Sequence, residues 1–225
     1  MMLHSRFIPW LGLALALAAA PADAAKGGSP WERSVVTIEI TRKQYDYIQP
    51  WSRRMESYQK SGLVVGAKQI LTTAEYLSDH TLVRLQKNGR GIWVNGEVRW
   101  IDYHANLALI TTSDTAFWNG LSVVKLADPV PTQGRVQILR WRSGKLEGRS
   151  GDINRVTAKR GKLSFSEEHL HLEVDTEIKG AGWGEPVVMG NKVLGITSSQ
   201  DGSSCSIIPS PFLRFILTAA QNGTG

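Results

Sequence analysis

Three of the chain's histidines sit among residues suited to proton transfer or metal binding. His104 lies two positions after Asp102 and two before Asn106, so on a strand all three lean to one side. An imidazole there could take over an acid or base role, but no matching serine loop offers it a hydroxyl. His169, His171 and Glu173 also share one face of a strand. A metal needs three or four convergent ligands, so this trio reads as polar residues on a solvent-facing strand, and no metal or cofactor is expected. Cys205, the single cysteine, lies in an apolar strand and reads as a small buried hydrophobe. The stretch Gly180-Ala181-Gly182-Trp183-Gly184-Glu185-Pro186 reads as a tight turn feeding the apolar pair Val187-Val188. At its centre stands an indole, which has no ionisable oxygen and cannot attack a carbonyl.

The elements around these residues are short and β-like. Ser34 to Thr41 alternates toward Val36, Ile38 and Ile40, as a half-buried strand should. Arg42 to Lys60 breaks that pattern with Pro50, mixed charges and four aromatics, and reads as a surface excursion folded back by its own rings. Short strands follow from Leu63 to Thr112. Lys87-Asn88-Gly89-Arg90 reads as a hairpin turn, and Gly91 to Ile101 sets Ile92, Val94, Val98 and Trp100 at even spacing on one face. Asp128 to Thr132, with two prolines, reads as a junction. Further strands run to Ile208, and Ser210-Pro211 starts an amphipathic helix. Strands do not alternate with helical patterns, which argues against a parallel α/β fold.

Three segments, in order along the chain, resemble the catalytic frames of trypsin-like serine proteases. Ile70-Leu71-Thr72-Thr73-Ala74-Glu75 is similar to the Thr-x-x-His segment, with Glu75 at the histidine position. Asn106-Leu107-Ala108-Leu109-Ile110 is similar to the strand that starts with the orienting aspartate, with Asn106 in its place. The glycine loop resembles Gly-x-Ser-Gly-Gly-Pro, with Trp183 at the serine position. The order of base, acid and nucleophile matches too. Ser61-Gly62-Leu63-Val64-Val65, Leu172 to Thr176 and Lys192 to Ser198 add looser likenesses, and the bacterial HtrA-type branch is the nearest in form.

This resemblance implies an all-β fold: two six-stranded antiparallel β-barrels with a C-terminal α-helix. Residues 34–221 would form the domain, with barrels over about 34–115 and 120–208 and the helix over 210–221. It implies a cleft bordered by Ala181, Gly182, Trp183, Gly184, Glu185, Thr197 and Ser198. With Glu75, Asn106 and Trp183 at the triad positions, the expectation is a chain that is no enzyme. It would instead bind a protein or peptide partner or support an envelope assembly, alone or as a homo-oligomer. An active endopeptidase with relocated residues and a purely structural envelope protein are the alternatives.

Residues 1–24 read as an export leader: Arg6, an apolar core from Leu11 to Ala20, and Ala22-Asp23-Ala24 as the cleavage site. The apolar run is too short to span a bilayer, so a periplasmic or secreted chain without an integral span is expected, with 25–33 as a short extension. Hydrophobic residues make up 42% of the sequence, enough for a core, and one cysteine excludes an internal disulfide framework. The net charge of +6 suits an anionic partner. The basic residues are scattered, however, and no run reads as a nucleic-acid arm.

Overall fold

The computed structural model describes residues 29–222 apart from 50, 165 and 167. The leader reading of residues 1–24 therefore lies outside the described residues. No helix among the described residues is long and apolar enough to cross a membrane.

The first half of the chain forms seven strands: β1 (Val35–Tyr45), β2 (Arg53–Gly66), β3 (Gln69–Thr72), β4 (His80–Lys87), β5 (Val94–Asn95), β6 (Glu97–Asp102) and β7 (Leu107–Thr111). They pair antiparallel in the order β5-β4-β1-β2-β3-β7-β6. The two edge strands are separated in sequence by Gly96 alone, so the sheet must curl back toward itself. The second half contributes β8 (Gly134–Arg142), β9 (Lys145–Arg160), β10 (Glu168–Thr176), β11 (Pro186–Met189), β12 (Lys192–Asp201) and β13 (Ser204–Pro209). These close into a six-stranded barrel, and α1 (Ser210–Gln221) follows. The all-β class, the two curled sheets and the final helix are as the resemblance implies, with seven strands and not six in the first sheet because Gly96 splits one in two.

Two details differ from the sequence reading. Gly91 to Ile101 is not one strand: Gly96 breaks it into β5 and β6, and Ile92 is turned out to solvent. The stretch from Arg42 to Lys60 is not a loop. β1 and β2 stay in register from Val35↔Leu63 out to Tyr45↔Arg53, and only seven residues turn at the tip. Pairing with β4 stops at Arg42↔His80, so beyond it the hairpin is a bare two-stranded ribbon. A ribbon with no layer beneath it has no inner face, which is why its sequence shows no alternation.

Apolar residues of both halves meet in one buried cluster that includes Val35, Leu63, Leu71, Leu139, Val188 and Ile208. A second cluster fills the first sheet around Ile38, Ile70 and Leu85, and a third fills the barrel around Val136, Val174 and Ile207. Trp141 Nε1 donates to Val35 O at 2.7 Å across the seam. The halves are thus fixed against each other, and their facing loops form the cleft.

Candidate functional site

The glycine loop joins β10 to β11 and packs on the first sheet through its backbone. Ser61 N–H donates to Trp183 O at 2.9 Å. Gly184 has φ +80°, and a Cβ there would lie 2.8 Å from Ser61 O. Only glycine combines that dihedral with that approach. Gly182, at φ +104°, lies equally close to Ser199.

The loop amides from Ala181 to Glu185 have internal acceptors. Ala181 N–H donates to Gln200 Oε1 at 2.7 Å. Gly182 and Trp183 N–H donate to Glu185 Oε2 at 3.0 and 2.8 Å. Thr197 Oγ1 donates to the same oxygen. The Glu185 side chain is 1% exposed, and Arg140 Nη1 lies 3.6 Å from its other oxygen. The loop therefore holds a buried anion of its own where its N–H groups converge. A substrate carbonyl would have to displace Glu185 or Gln200 to receive those donors.

The opposite wall comes from the first sheet. Lys60, almost completely buried, donates through Nζ to Thr73 O at 2.6 Å and Glu75 O at 2.9 Å. Burial pulls its amine down to about 7, against the upward pull of the nearby Glu75 and Glu185 carboxylates. Glu75 is buried, and its Oε2 meets Lys162 Nζ at 2.8 Å. Asn106, with φ +52°, turns Oδ1 onto Ala74 N–H at 3.1 Å and braces the turn that carries Glu75.

Above this polar layer lie three nearly parallel rings. Tyr58 stacks on Tyr76 with centroids 4.1 Å apart. Trp183 lies 5.6 Å from Tyr76 and 6.0 Å from Tyr58. Lys162 Nζ stands 5.8 Å over the Trp183 ring, and Arg42 stands 5.3 Å over Tyr76. Trp183 is half-buried and borders a cavity of about 240 Å³ shared with Lys60, Ser61, Arg140 and Glu185.

Of the residues singled out by sequence, the structure brings Glu75 and Trp183 together through Lys162, with Asn106 behind them. Ala181, Gly182, Gly184, Glu185, Thr197 and Ser198 are all buried; Thr197 Oγ1 meets the Glu185 carboxylate and Ser198 Oγ donates to Ser206 O. Glu75, Asn106 and Trp183 supply a carboxylate, an amide and an indole, and no hydroxyl. Any hydrolysis here would have to draw its nucleophile from elsewhere.

His104 Nδ1 lies 2.8 Å from Ser164 Oγ at the cleft edge. Asp102 accepts the backbone N–H of His104 and Ala105 and leaves the imidazole alone. The solvent-facing reading of His171 and Glu173 is wrong: both are buried, and Leu170 is the residue turned outward. Burial holds His171 down to about 4. Among the described residues no three His, Cys, Asp or Glu side chains converge on a metal position. Cys205 is buried, which pushes its thiol up to about 12.

Sequence reasoning missed Lys60, Tyr76, Lys162 and Gln200. Tyr76 alone left a signal, as the residue directly after Glu75 in the turn frame.

A trypsin-like fold of the HtrA protease type is what this architecture and cleft define. In the solved HtrA-type protease AlgW with a decapeptide, 86% of this chain superposes on 66% of that one, with a TM-score of 0.67 and 13% identity. The Rv3671c protease of M. tuberculosis, in its active form, matches 83% of this chain and 80% of its own, with a TM-score of 0.66 and 16% identity. In sequence the chain is similar to Do-like proteins. It is 29% identical over 197 residues to the Do-like 3 protein and 26% identical over 197 residues to "Protease Do-like 4, mitochondrial", both of Arabidopsis thaliana. Each match covers 84% of this chain but only 34% and 37% of those relatives. No protein-family model matches. These findings overturn the expectation of a non-enzyme, because the relatives it resembles are named as proteases.

Proposed function

We propose that this chain is an exported protease-fold domain that takes an extended polypeptide into the cleft between its two sheets, against the ring of Trp183. The observation that carries this reading is the aromatic layer of Tyr58, Tyr76 and Trp183. Its half-buried Trp183 borders the cavity, with Tyr76 and Tyr58 stacked beside it. Half-exposed aromatics over a groove are frequent anchors for a partner's side chains. Lys162, Arg42 and Arg140 around the rings favour a segment that carries acidic residues. The HtrA-type protease AlgW was solved with a decapeptide, which supports a peptide-length ligand for the fold. Export rests on the leader pattern of residues 1–24.

Calorimetric titration of purified chain with unfolded casein and with an acidic peptide library tests the reading. Wild type should bind, and Trp183→Ala should weaken binding on the order of tenfold. Equal affinity of the two proteins, or no binding by wild type, rejects it.

A second reading is favoured by the protease names of the relatives and by the contact of His104 with Ser164. If the bound polypeptide is cut, the Ser164 hydroxyl is the nucleophile and His104 takes its proton. Ser164→Ala and His104→Ala should then each lower the cleavage rate by roughly 100-fold or more. Cleavage that survives both changes disposes of this assignment.

A further inference from the structure

The hairpin of β1 and β2 ends in the most apolar exposed surface among the described residues. Tyr47 is 95% exposed, Ile48 88%, Trp51 80%, Tyr45 69% and Met55 56%. Exposed apolar clusters of this kind mark contact surfaces rather than ordinary solvent-facing skin. Tyr45, Tyr47, Ile48 and Arg54 also line an open recess of about 390 Å³ at the tip. Past Arg42↔His80 the ribbon has no third strand, so its rings sit on a two-stranded projection.

The charges around the tip are sorted by sign. Asp46 is folded inward and caps the backbone N–H groups of Ile48 and Gln49 at 2.9 and 3.2 Å. Glu56 accepts the Tyr58 hydroxyl at 2.5 Å. Lys43 and Arg54 have no such partner drawn from these acids. They stand two rungs and one rung below the last pair, Tyr45↔Arg53, at Lys43↔Met55 and Gln44↔Arg54. The sequence from 42 to 56 holds four basic residues against two acidic ones, within a chain of net charge +6. Trp and Tyr rings with a ring of cations behind them match the boundary of an anionic bilayer. There the aromatic ring lies at headgroup level and the cation meets phosphate.

We infer that the β1–β2 hairpin tip is a membrane-docking element that seats Tyr47, Ile48 and Trp51 in the headgroup layer of an anionic lipid surface, with Lys43 and Arg54 on the phosphates. The domain would then lie on the bilayer by this tip, as an interfacial contact and not a span. The cleft draws Arg42, Tyr58 and Lys60 from the base of the same hairpin, below the tip residues that would meet the lipid.

Co-sedimentation with vesicles tests the inference. Wild type should pellet with phosphatidylglycerol–phosphatidylethanolamine vesicles several-fold more than with phosphatidylcholine vesicles. The triple change Tyr47→Ser, Ile48→Ser, Trp51→Ser should lower the anionic binding by roughly tenfold or more, since it removes the inserted apolar groups. Lys43→Glu with Arg54→Glu should abolish the preference for anionic lipid. Amide exchange at residues 45–51 should slow when anionic vesicles are added. All variants should melt with wild type, because Tyr47, Ile48, Trp51 and Arg54 are exposed and Lys43 is only partly buried. Equal binding by wild type and the triple variant, or no preference for anionic lipid, overturns the inference. So does self-association of the wild type in solution that the triple variant abolishes, which would assign the tip to a second copy.

Discussion

The inner corner of the cleft and the tip of the β1–β2 hairpin treat their chemically active groups in opposite ways. At the corner, charges are buried and every one named here is answered from inside: Glu185 by two backbone amides and Thr197, Lys60 by two carbonyls, Glu75 by Lys162. At the tip, large apolar side chains stand in solvent with nothing over them. The corner is therefore a place where the fold spends stability on polar order. The tip adds little to the fold and is free to answer to a partner. The difference teaches that exposure of apolar groups and burial of charges mark two separate kinds of site, one facing outward and one organised from within.

The contrast breaks most readily at Glu185. Glu185→Ala leaves the amides of Gly182 and Trp183 and the Thr197 hydroxyl without their acceptor. It should cost about 3–5 kcal/mol in denaturant unfolding, as loss of one partner from a buried charged network does. A loss below about 1 kcal/mol would mean that water replaces the carboxylate freely, and the corner would not be internally organised.

Lys60 gives the next effect, and its sign depends on pH. Its amine is held near 7 in the folded chain against an ordinary value of 10.5, so between those values the unfolded chain binds more protons. Burial of the charged amine costs most below pH 7, and the cost fades as pH rises toward 10.5. Wild type should therefore gain on Lys60→Met by up to about 1.4 kcal/mol per pH unit across that window. A pH-independent difference between the two proteins would show that the amine stays charged throughout.

His171 sharpens the comparison at acid pH. Its imidazole is held near 4 against an ordinary 6.5 by burial foremost, with the Lys159 and His169 charges acting in the same direction and Glu173 against them. Folded chain lacks the proton that unfolded chain binds, so stability falls as pH drops from 6.5 toward 4. His171→Gln should remove about 1–2 kcal/mol of that fall. Equal acid sensitivity in the variant would place the loss elsewhere.

The smallest effect belongs to the tip. Trp51→Ser should change unfolding free energy by less than about 0.5 kcal/mol, as exposed substitutions usually do. A larger loss would show that the ring packs on the chain itself.

The sequence carried the frame of this molecule well in places where backbone rules are strict. The loop from Gly180 to Pro186 was legible because a turn that presses on Ser61 and Ser199 admits only glycine at Gly182 and Gly184. The strands around Val36 to Ile40 were legible because one face is buried. β10 misled because both its faces are covered. Leu172 and Val174 fill the barrel, while His171 and Glu173 are buried on the opposite face against Ser206, Ser204 and Lys159, and Leu170 stays exposed nearer the strand's start. The hairpin was illegible because a free ribbon has no inner face to pattern. Lys60 and Gln200 were illegible for a different reason. A long polar side chain reads as surface until carbonyls or amides from distant segments converge on it, and those are set by the tertiary fold.

The near-parallel rings of Tyr58, Tyr76 and Trp183 also have an optical consequence. At centroid separations of 4.1 to 6.0 Å their excited states couple, and Lys162 lies over the indole as a charge that shifts its emission. The cleft thus carries its own chromophore assembly. Its near-ultraviolet circular dichroism should change when the rings separate or another ring slides between them, and Trp183→Phe should erase most of that change. Occupancy of the cleft can in this way be followed by light on the unlabelled chain.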